Sequence, residues 1–113
     1  MIRVKKLVKK LFSVLDRFPG GGTVVLAESL SAGLASALIA SVPGASRYLW
    51  GALISYSNEA KQKLLGLCAE LLREHGAVSH ETVRQMALGA LAVSSADVAL
   101  SLSGEAGPDC QEE

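Results

Sequence analysis

Three short polar segments hold the side chains of this sequence that could do chemistry. They occupy residues 28–31, 56–61 and 103–108. Each segment directly follows a short apolar run that is typical of a buried strand. Ligands in open α/β sheets bind beyond the carboxyl ends of the strands. The sequence therefore predicts a single site to which all three segments contribute.

The first segment offers a serine nucleophile. Ser29 and Ser31 stand between a predicted strand and a predicted helix. A hydroxyl at such a sharp turn projects outwards, close to backbone N–H groups and to the positive end of the helix dipole. Taken alone, a serine at this position is more often only the N-cap of the helix. Both interpretations stay open on these residues alone.

Lys61, in the second segment, is the candidate base for such a serine. Neither His75 nor His80 has an orienting acid in an evident position, so both are better explained as surface or capping residues. A lysine beside an apolar, partly closed site loses its proton more easily and can act as a base in Ser-Lys fashion. The alternative interpretation is an ordinary exposed lysine opposite Glu59.

Composition excludes several classes of protein. The 11 basic and 11 acidic residues give no net charge, so we expect no nucleic acid and no membrane as partner. The basic residues concentrated before residue 18 fit the solvated face of a surface helix better than a membrane contact. Cys68 and Cys110 form no CxxC pair, which argues against a zinc or redox site. Without a transmembrane-length stretch or a clear signal peptide, the expected location is cytoplasmic.

Two cofactor-binding motifs are also missing. The glycines at 20–22 are not followed by GK[ST], and no GxGxxG follows the first predicted strand. The spacing from Tyr56 to Lys61 is one residue longer than the Tyr-x-x-x-Lys pair of short-chain dehydrogenases. A nicotinamide dinucleotide oxidoreductase is therefore disfavoured.

Hydrophobic periodicity predicts an α/β fold in which strands alternate with helices. Helical spacing covers residues 2–18, 31–40, 59–65, 67–75 and 80–93, and strand patterns cover 23–27, 48–56 and 98–102. Half of the residues are hydrophobic, which is enough for one core, so residues 1–113 are predicted to form a single domain. A sheet of three strands is thin and leaves an open edge, which indicates either association or a missing part of the domain.

The ordered motifs resemble those of the CinA C-terminal family. Residues 27–33 resemble its A-E-S-C-T-G-G segment, residues 56–61 match its Y-S-N-E-A-K, and residues 103–108 resemble its S-G-I-A-G-P. Residues 42–46 and 75–79 also fall where the family carries similar stretches. The similarity runs from about residue 7 to the end of the chain. No single motif is specific to the family, and the resemblance rests on the occurrence of all the motifs in this order.

The resemblance implies a three-layer α/β/α sandwich that hydrolyses the carboxamide of nicotinamide mononucleotide. The products would be nicotinate mononucleotide and ammonia, within pyridine nucleotide salvage. Carried over by motif, Ser29 would be the nucleophile, Lys61 its general base and Tyr56 a hydroxyl that relays or orients. Backbone amides in the first and third segments would hold the oxyanion or the phosphate. No metal or other cofactor is implied. The implied substrate-binding residues are Glu28, Ser31, Ala32, Gly33, Asn58, Ser103, Gly104 and Gly107.

Two departures from the family pattern lead to further expectations. Ala32 replaces a glycine of the motif, and if that position has a positive φ the alanine costs about 1 kcal/mol. Family members also continue beyond the Gly-Pro loop with more strands and a helix, so the sheet is expected to be incomplete. Relatives are often dimers, and an open edge favours association, which makes a homodimer a candidate assembly. The alternative to an amidohydrolase is an inactive truncated homologue that serves as a remnant or interaction domain.

Overall fold

A parallel three-stranded sheet forms the centre of the computed structural model, which describes residues 2–105. The strands are β1 (Val24–Glu28), β2 (Leu49–Ile54) and β3 (Val98–Leu102). Their order in the sheet is β2-β1-β3, and β1 runs parallel to both neighbours. Glu28 is therefore aligned with Ile54 on one side and Leu102 on the other. The three polar segments that follow these residues all start at one edge of the sheet.

Helices cover both faces of the sheet. They are α1 (Ile2–Leu15), α2 (Leu34–Ala40), α3 (Asn58–Leu65), α4 (Ala69–His75) and α5 (His80–Ala92), with a short 3₁₀ turn at Ala45–Arg47. Helices α1 and α2 lie on one face and α3, α4 and α5 on the other. The α/β class and the three-layer arrangement are confirmed. Within residues 2–105, no helix is both long and apolar enough to cross a membrane.

Strand β1 is buried along its whole length because it packs on both layers of helices. Val24 and Leu26 face the core formed with Phe12 of α1. Val25 and Ala27 face the opposite core, which includes residues of α3 and α5. Successive side chains of a strand point to opposite faces, so a continuous apolar run is what a doubly covered strand requires.

The start of α2 differs from the sequence-based expectation. A helix was expected from residue 31, but α2 begins at Leu34. Ala32 has φ +53° and Gly33 has φ +106°, and neither value is compatible with a right-handed helix. Residues 29–33 form a turn instead. The other predicted elements are confirmed, with ends that move by a few residues.

The position of α3 is fixed by its own cap and by its contact with α5. Ser57 caps the helix, because its side chain accepts a hydrogen bond from the amide of Ala60 at 3.0 Å. Near its other end, α3 approaches α5 so closely that a Cβ on Gly89 would lie 2.1 Å from the carbonyl oxygen of Leu65. A glycine is therefore required at position 89, and α3 is held tightly against the fold.

Candidate active site

Ser29 is the first residue after β1 and is held by backbone contacts on both sides. Its amide donates a hydrogen bond to the carbonyl of Leu102, at the end of β3, over 3.0 Å. Its own carbonyl accepts one from the amide of Ala32 over 3.1 Å. The residue is only 7% exposed. Its hydroxyl thus has a defined position at the edge where the three strands end.

Lys61 projects from the first turn of α3 back into the fold, where it is 2% exposed. Its Nζ lies 2.9 Å from Ser29 Oγ. It also donates to the carbonyl oxygens of Ser55 and Tyr56, at 3.0 and 3.1 Å. The structure therefore brings the predicted nucleophile and the predicted base into hydrogen-bond contact, although they are far apart in the sequence. Lys61 is not the exposed lysine of the alternative interpretation.

The environment of Lys61 makes its ammonium proton easier to lose. Burial lowers the pKa of its ammonium from the ordinary value of 10.5. The ion pairs formed among residues 2–105 do not include Lys61, so no carboxylate of that part of the chain offsets this effect. A neutral amine has two N–H donors and one lone pair. Nζ donates to two carbonyls and to the Ser29 hydroxyl, so the loss of one proton would leave its lone pair directed at Ser29 Oγ.

Tyr56 contributes to this site through its main chain. Its carbonyl oxygen lies 3.1 Å from Lys61 Nζ and 3.5 Å from Ser29 Oγ. Its side chain is 64% exposed. The relay role of the Tyr56 hydroxyl stays a prediction.

The carboxylate of Glu28 is buried, and both of its oxygens accept hydrogen bonds within the fold. Its Oε1 accepts hydrogen bonds from the amides of Gly33 (2.8 Å) and Ala35 (3.2 Å). Its Oε2 accepts one from the Ser36 amide (2.6 Å) and another from the Ser36 hydroxyl. Burial alone raises the pKa of this carboxyl, but the donors of Ser31, Ser36 and Gly33 outweigh it and lower the pKa to about 2. The predicted contact of Glu28 with substrate would require it to release these donors.

The turn between Ser29 and α2 is strained at one residue. Ala32 is the one non-glycine residue with a positive φ between residues 2 and 105. Because φ is positive at this position, as the sequence comparison with the family motif allowed for, an alanine there costs about 1 kcal/mol relative to glycine. Ser31 is half-buried in the same turn. Its hydroxyl lies close enough to Glu28 to lower the pKa of that group, although it forms no hydrogen bond of good geometry with any described residue.

The third polar segment lies against the first. A Cβ on Gly104 would approach Leu30 to 3.1 Å, so this glycine permits close contact between the two segments. Ser103 is half-buried, and its hydroxyl donates to the carbonyl of Ala77 over 3.4 Å. Asn58 is exposed at the start of α3, facing solvent. Gly107, which was also predicted to bind substrate, lies outside the described residues.

Two serines that the motifs did not single out complete the network. Ser36 binds the Glu28 carboxylate through both its amide and its hydroxyl. Ser55 is fully buried, and its carbonyl accepts a hydrogen bond from Lys61. A polar residue directly after an apolar strand was a usable signal for Ser55. No local signal marks Ser36, because its partner depends on how the turn folds back.

Metal-ligating residues do not gather in the part of the chain that the structure describes. No group of three or more His, Cys, Asp or Glu residues is arranged there to hold a metal ion. His75 lies on the surface beside Glu74, with 3.7 Å between the ring and the carboxylate. Cys68 is exposed and caps α4 through its sulfur. The predicted nucleophile and base that the structure brings together at this edge of the sheet are Ser29 and Lys61.

Comparison with known proteins gives one consistent family. The model of the CinA C-terminal domain matches residues 5–113. A CinA-like protein of Solibacter usitatus is 47% identical over 91 residues, which cover 80% of this chain. The MG115 homolog of Mycoplasma pneumoniae is 46% identical over 90 residues. The crystal structure of the competence/damage inducible protein CihA from Agrobacterium tumefaciens superposes with a TM-score of 0.86 at 36% identity.

The chain spans only part of these relatives. It corresponds to 22% of the length of the Solibacter usitatus protein and 57% of the Mycoplasma pneumoniae protein. It covers 64% of the Agrobacterium tumefaciens chain, while 95% of its own residues are matched. Residues 5–113, which the family model matches, include β1, β2 and β3 together with the turn that carries Ser29 and the helix that carries Lys61.

Proposed function

The chain belongs to the CinA C-terminal domain family, and on that premise we propose that it hydrolyses the carboxamide of nicotinamide mononucleotide. The products are nicotinate mononucleotide and ammonia. The observation that carries the proposal is the 2.9 Å contact between Lys61 Nζ and Ser29 Oγ. A buried lysine with a lowered pKa, in contact with a serine hydroxyl, is the arrangement that acyl transfer by a Ser-Lys pair needs.

The first half of the reaction forms an ester on the enzyme. Ser29 Oγ attacks the carboxamide carbon while its proton passes to Lys61 Nζ. The tetrahedral intermediate then collapses, and its C–N bond breaks. The leaving nitrogen takes the proton from Lys61 and departs as ammonia. Lys61 returns to the neutral state, and the nicotinoyl group stays on Ser29.

The second half uses water in place of the serine. Lys61 accepts a proton from water as the water oxygen attacks the ester carbon. The bond to Ser29 Oγ breaks, and Lys61 returns the proton to that oxygen. The nicotinate product leaves as a carboxylate. The sum is one amide and one water converted to one carboxylate and one ammonium ion.

Both steps need N–H donors for the negative oxygen of the intermediate. Within the turn, the amides of Ala32 and Gly33 already donate to Ser29 and Glu28. The amides of Leu30 and Ser31, directly after the nucleophile, are the remaining candidates on this turn. Removal of one such donor typically costs about 10²–10³ in kcat.

A release assay tests the proposal. The purified chain is incubated with nicotinamide mononucleotide, and ammonia and nicotinate mononucleotide are quantified. We expect release by the wild-type chain, and none above background after Ser29→Ala or Lys61→Met. The exposed Lys63→Met on the same helix is the matched control and keeps the activity.

A second arm separates chemistry from pocket completeness. The chain is extended at residue 113 by the segment that follows the matched region in the Agrobacterium tumefaciens relative. If only the extended protein releases ammonia, the Ser-Lys chemistry stands and the pocket needs the added segment. If neither protein does, the proposal is wrong and the non-catalytic interaction domain becomes the better explanation.

A further inference from the structure

Glu28 connects the nucleophile to the base through two separate sets of hydrogen bonds. Its side chain reaches past Ser29 to the first turn of α2. Its main-chain carbonyl accepts from the Ser55 amide at 2.8 Å and from the Ser55 hydroxyl at 3.3 Å. The Ser55 carbonyl in turn accepts from Lys61 Nζ at 3.0 Å. One residue therefore holds both the turn of Ser29 and the strand end that supports Lys61.

Helix α2 depends on this carboxylate because it has no side-chain cap of its own. Its N-cap residue is Gly33, which has no side chain that could accept a hydrogen bond. The first N–H groups of any helix need acceptors from outside the helix. Glu28 accepts from the amides of Gly33, Ala35 and Ser36, three of those groups. A helix of seven residues is too short to be stable without such support.

The closed loop that results contains the nucleophile. Ser29 stands between Glu28 and the amides that bind its carboxylate. The turn also includes Ala32, whose positive φ is strained and persists only if the surroundings impose it. If the carboxylate no longer accepted these hydrogen bonds, the turn would relax towards a less strained geometry, and Ser29 Oγ would move relative to Lys61 Nζ.

We propose that Glu28 is a positioning residue for acyl transfer, which holds the Ser29 hydroxyl against the Lys61 amine and does not bind substrate. This inference rests on the proposed function. It differs from the role that the family resemblance suggests for Glu28. The two roles give opposite kinetic signatures, because loss of a substrate contact raises KM, whereas misplacement of a nucleophile lowers kcat.

Glu28→Gln is the variant that tests the proposal. Glutamine has the same size and keeps one acceptor oxygen for Gly33 and Ala35. Its NH₂ group would face the Ser36 amide, so that hydrogen bond becomes a donor-to-donor contact, and the Ser36 hydroxyl would have to turn from donor to acceptor. We expect kcat to fall about tenfold or more, with KM for nicotinamide mononucleotide within about twofold of the wild-type value.

Glu59→Gln is the matched control. Glu59 is also a glutamate near the start of a helix, but it is exposed and pairs with Lys63 at 3.2 Å. We expect wild-type kcat and KM. A loss of kcat in Glu59→Gln equal to that in Glu28→Gln would overturn the proposal, because it would show a general effect of charge removal.

Ser36→Ala keeps the test valid if Glu28→Gln does not fold. This variant removes one of the four hydrogen bonds to the carboxylate and leaves the Ser36 amide in place. We expect a fall in kcat of about threefold and an unchanged KM. A raised KM with wild-type kcat in either variant would assign Glu28 to substrate binding and overturn the proposal.

Labelling of Ser29 by a fluorophosphonate separates this inference from the choice of substrate. The reagent reacts with an activated serine hydroxyl, and the labelled residue is identified by mass spectrometry. If the wild-type chain is labelled but neither it nor the extended protein hydrolyses nicotinamide mononucleotide, the proposed substrate is wrong, while the labelling rate still reports on positioning. We expect slower labelling in Glu28→Gln and Ser36→Ala. Equal rates in all proteins, or no labelling of the wild-type chain, would overturn the proposal.

Discussion

Two strand-to-helix turns meet at the carboxyl edge of the sheet, and the N–H groups at the start of the helix that follows are capped differently in each. The turn at residues 29–33 leads from β1 into the seven-residue α2, and the turn at residues 55–57 leads from β2 into the eight-residue α3. The second helix is capped by its neighbour Ser57, which is exposed. The first is capped by Glu28, a buried residue five positions before its N-cap.

The difference shows how a site can be made precise. An exposed local cap satisfies helix donors but leaves the approach of the chain free to vary. A buried carboxylate with four hydrogen bonds, which also lies on the central strand, ties the helix to the sheet. Ser29, the proposed nucleophile, stands in the turn with the buried cap. Lys61, the proposed base, stands on the helix with the local cap, and its defined position comes from its own burial and from the close contact of α3 with α5.

The largest effect is expected from Lys61→Arg. A guanidinium keeps its proton at any accessible pH and cannot act as a base, so hydrolysis should fall by about 10³-fold or more.

In the wild-type chain, kcat/KM should rise with pH as the amine becomes neutral, with a midpoint below 10.5 because burial lowers the pKa of Lys61. A pH-rate profile checks this. A midpoint at or above 10.5 would contradict a buried base.

Glu28→Gln should next destabilise the fold in a pH-dependent way. The pKa of Glu28 is about 2 in the folded protein and 4.5 as its ordinary value, so the unfolded chain binds the extra proton between these values. The stabilisation by Glu28 is therefore present above pH 4.5 and lost as pH falls towards 2. It amounts to about 3 kcal/mol at neutral pH. Urea unfolding at several pH values measures this, and a difference from wild type that did not shrink in acid would contradict it.

Ser57→Ala should have a smaller and pH-independent effect. The serine cap of α3 is exposed and does not titrate, so its removal should cost about 1 kcal/mol at every pH. The same urea series checks the value. A cost as large as that of Glu28→Gln would remove the distinction between the local and the buried cap.

Ala32→Gly should give the smallest effect, with the opposite sign. Glycine relieves the strain of the positive φ at this position but adds freedom to the unfolded chain, so a net gain of roughly 0.5 kcal/mol is expected. Ala37→Gly, at an exposed position within α2, is the matched control and should lose about 1 kcal/mol. Thermal unfolding compares the two. Destabilisation by both glycines would show that the Ala32 turn is not strained.

Much of the fold was predictable because it depends on local pattern. The apolar run of β1 indicates a strand buried on both faces, and this burial is complete. A serine directly before a helix is a usual N-cap, and Ser57 and Ser79 cap α3 and α5 in this way. Local pattern also selected Ser29 and Lys61 as candidates, because their residue types and their places at strand ends are visible in the sequence. These features depend on neighbours within a few residues.

Only the tertiary structure decided how those candidates are used. The sheet order β2-β1-β3 aligns Glu28 with Ile54, and this alignment brings the end of β2 to the turn of Ser29. Lys61 becomes buried beside Ser29 because α3 packs its first turn against that edge. Glu28 becomes a cap because Gly33 and Ala32 take positive φ values and fold α2 back over it. Each result depends on register and backbone direction between distant segments, and residue types alone do not encode these.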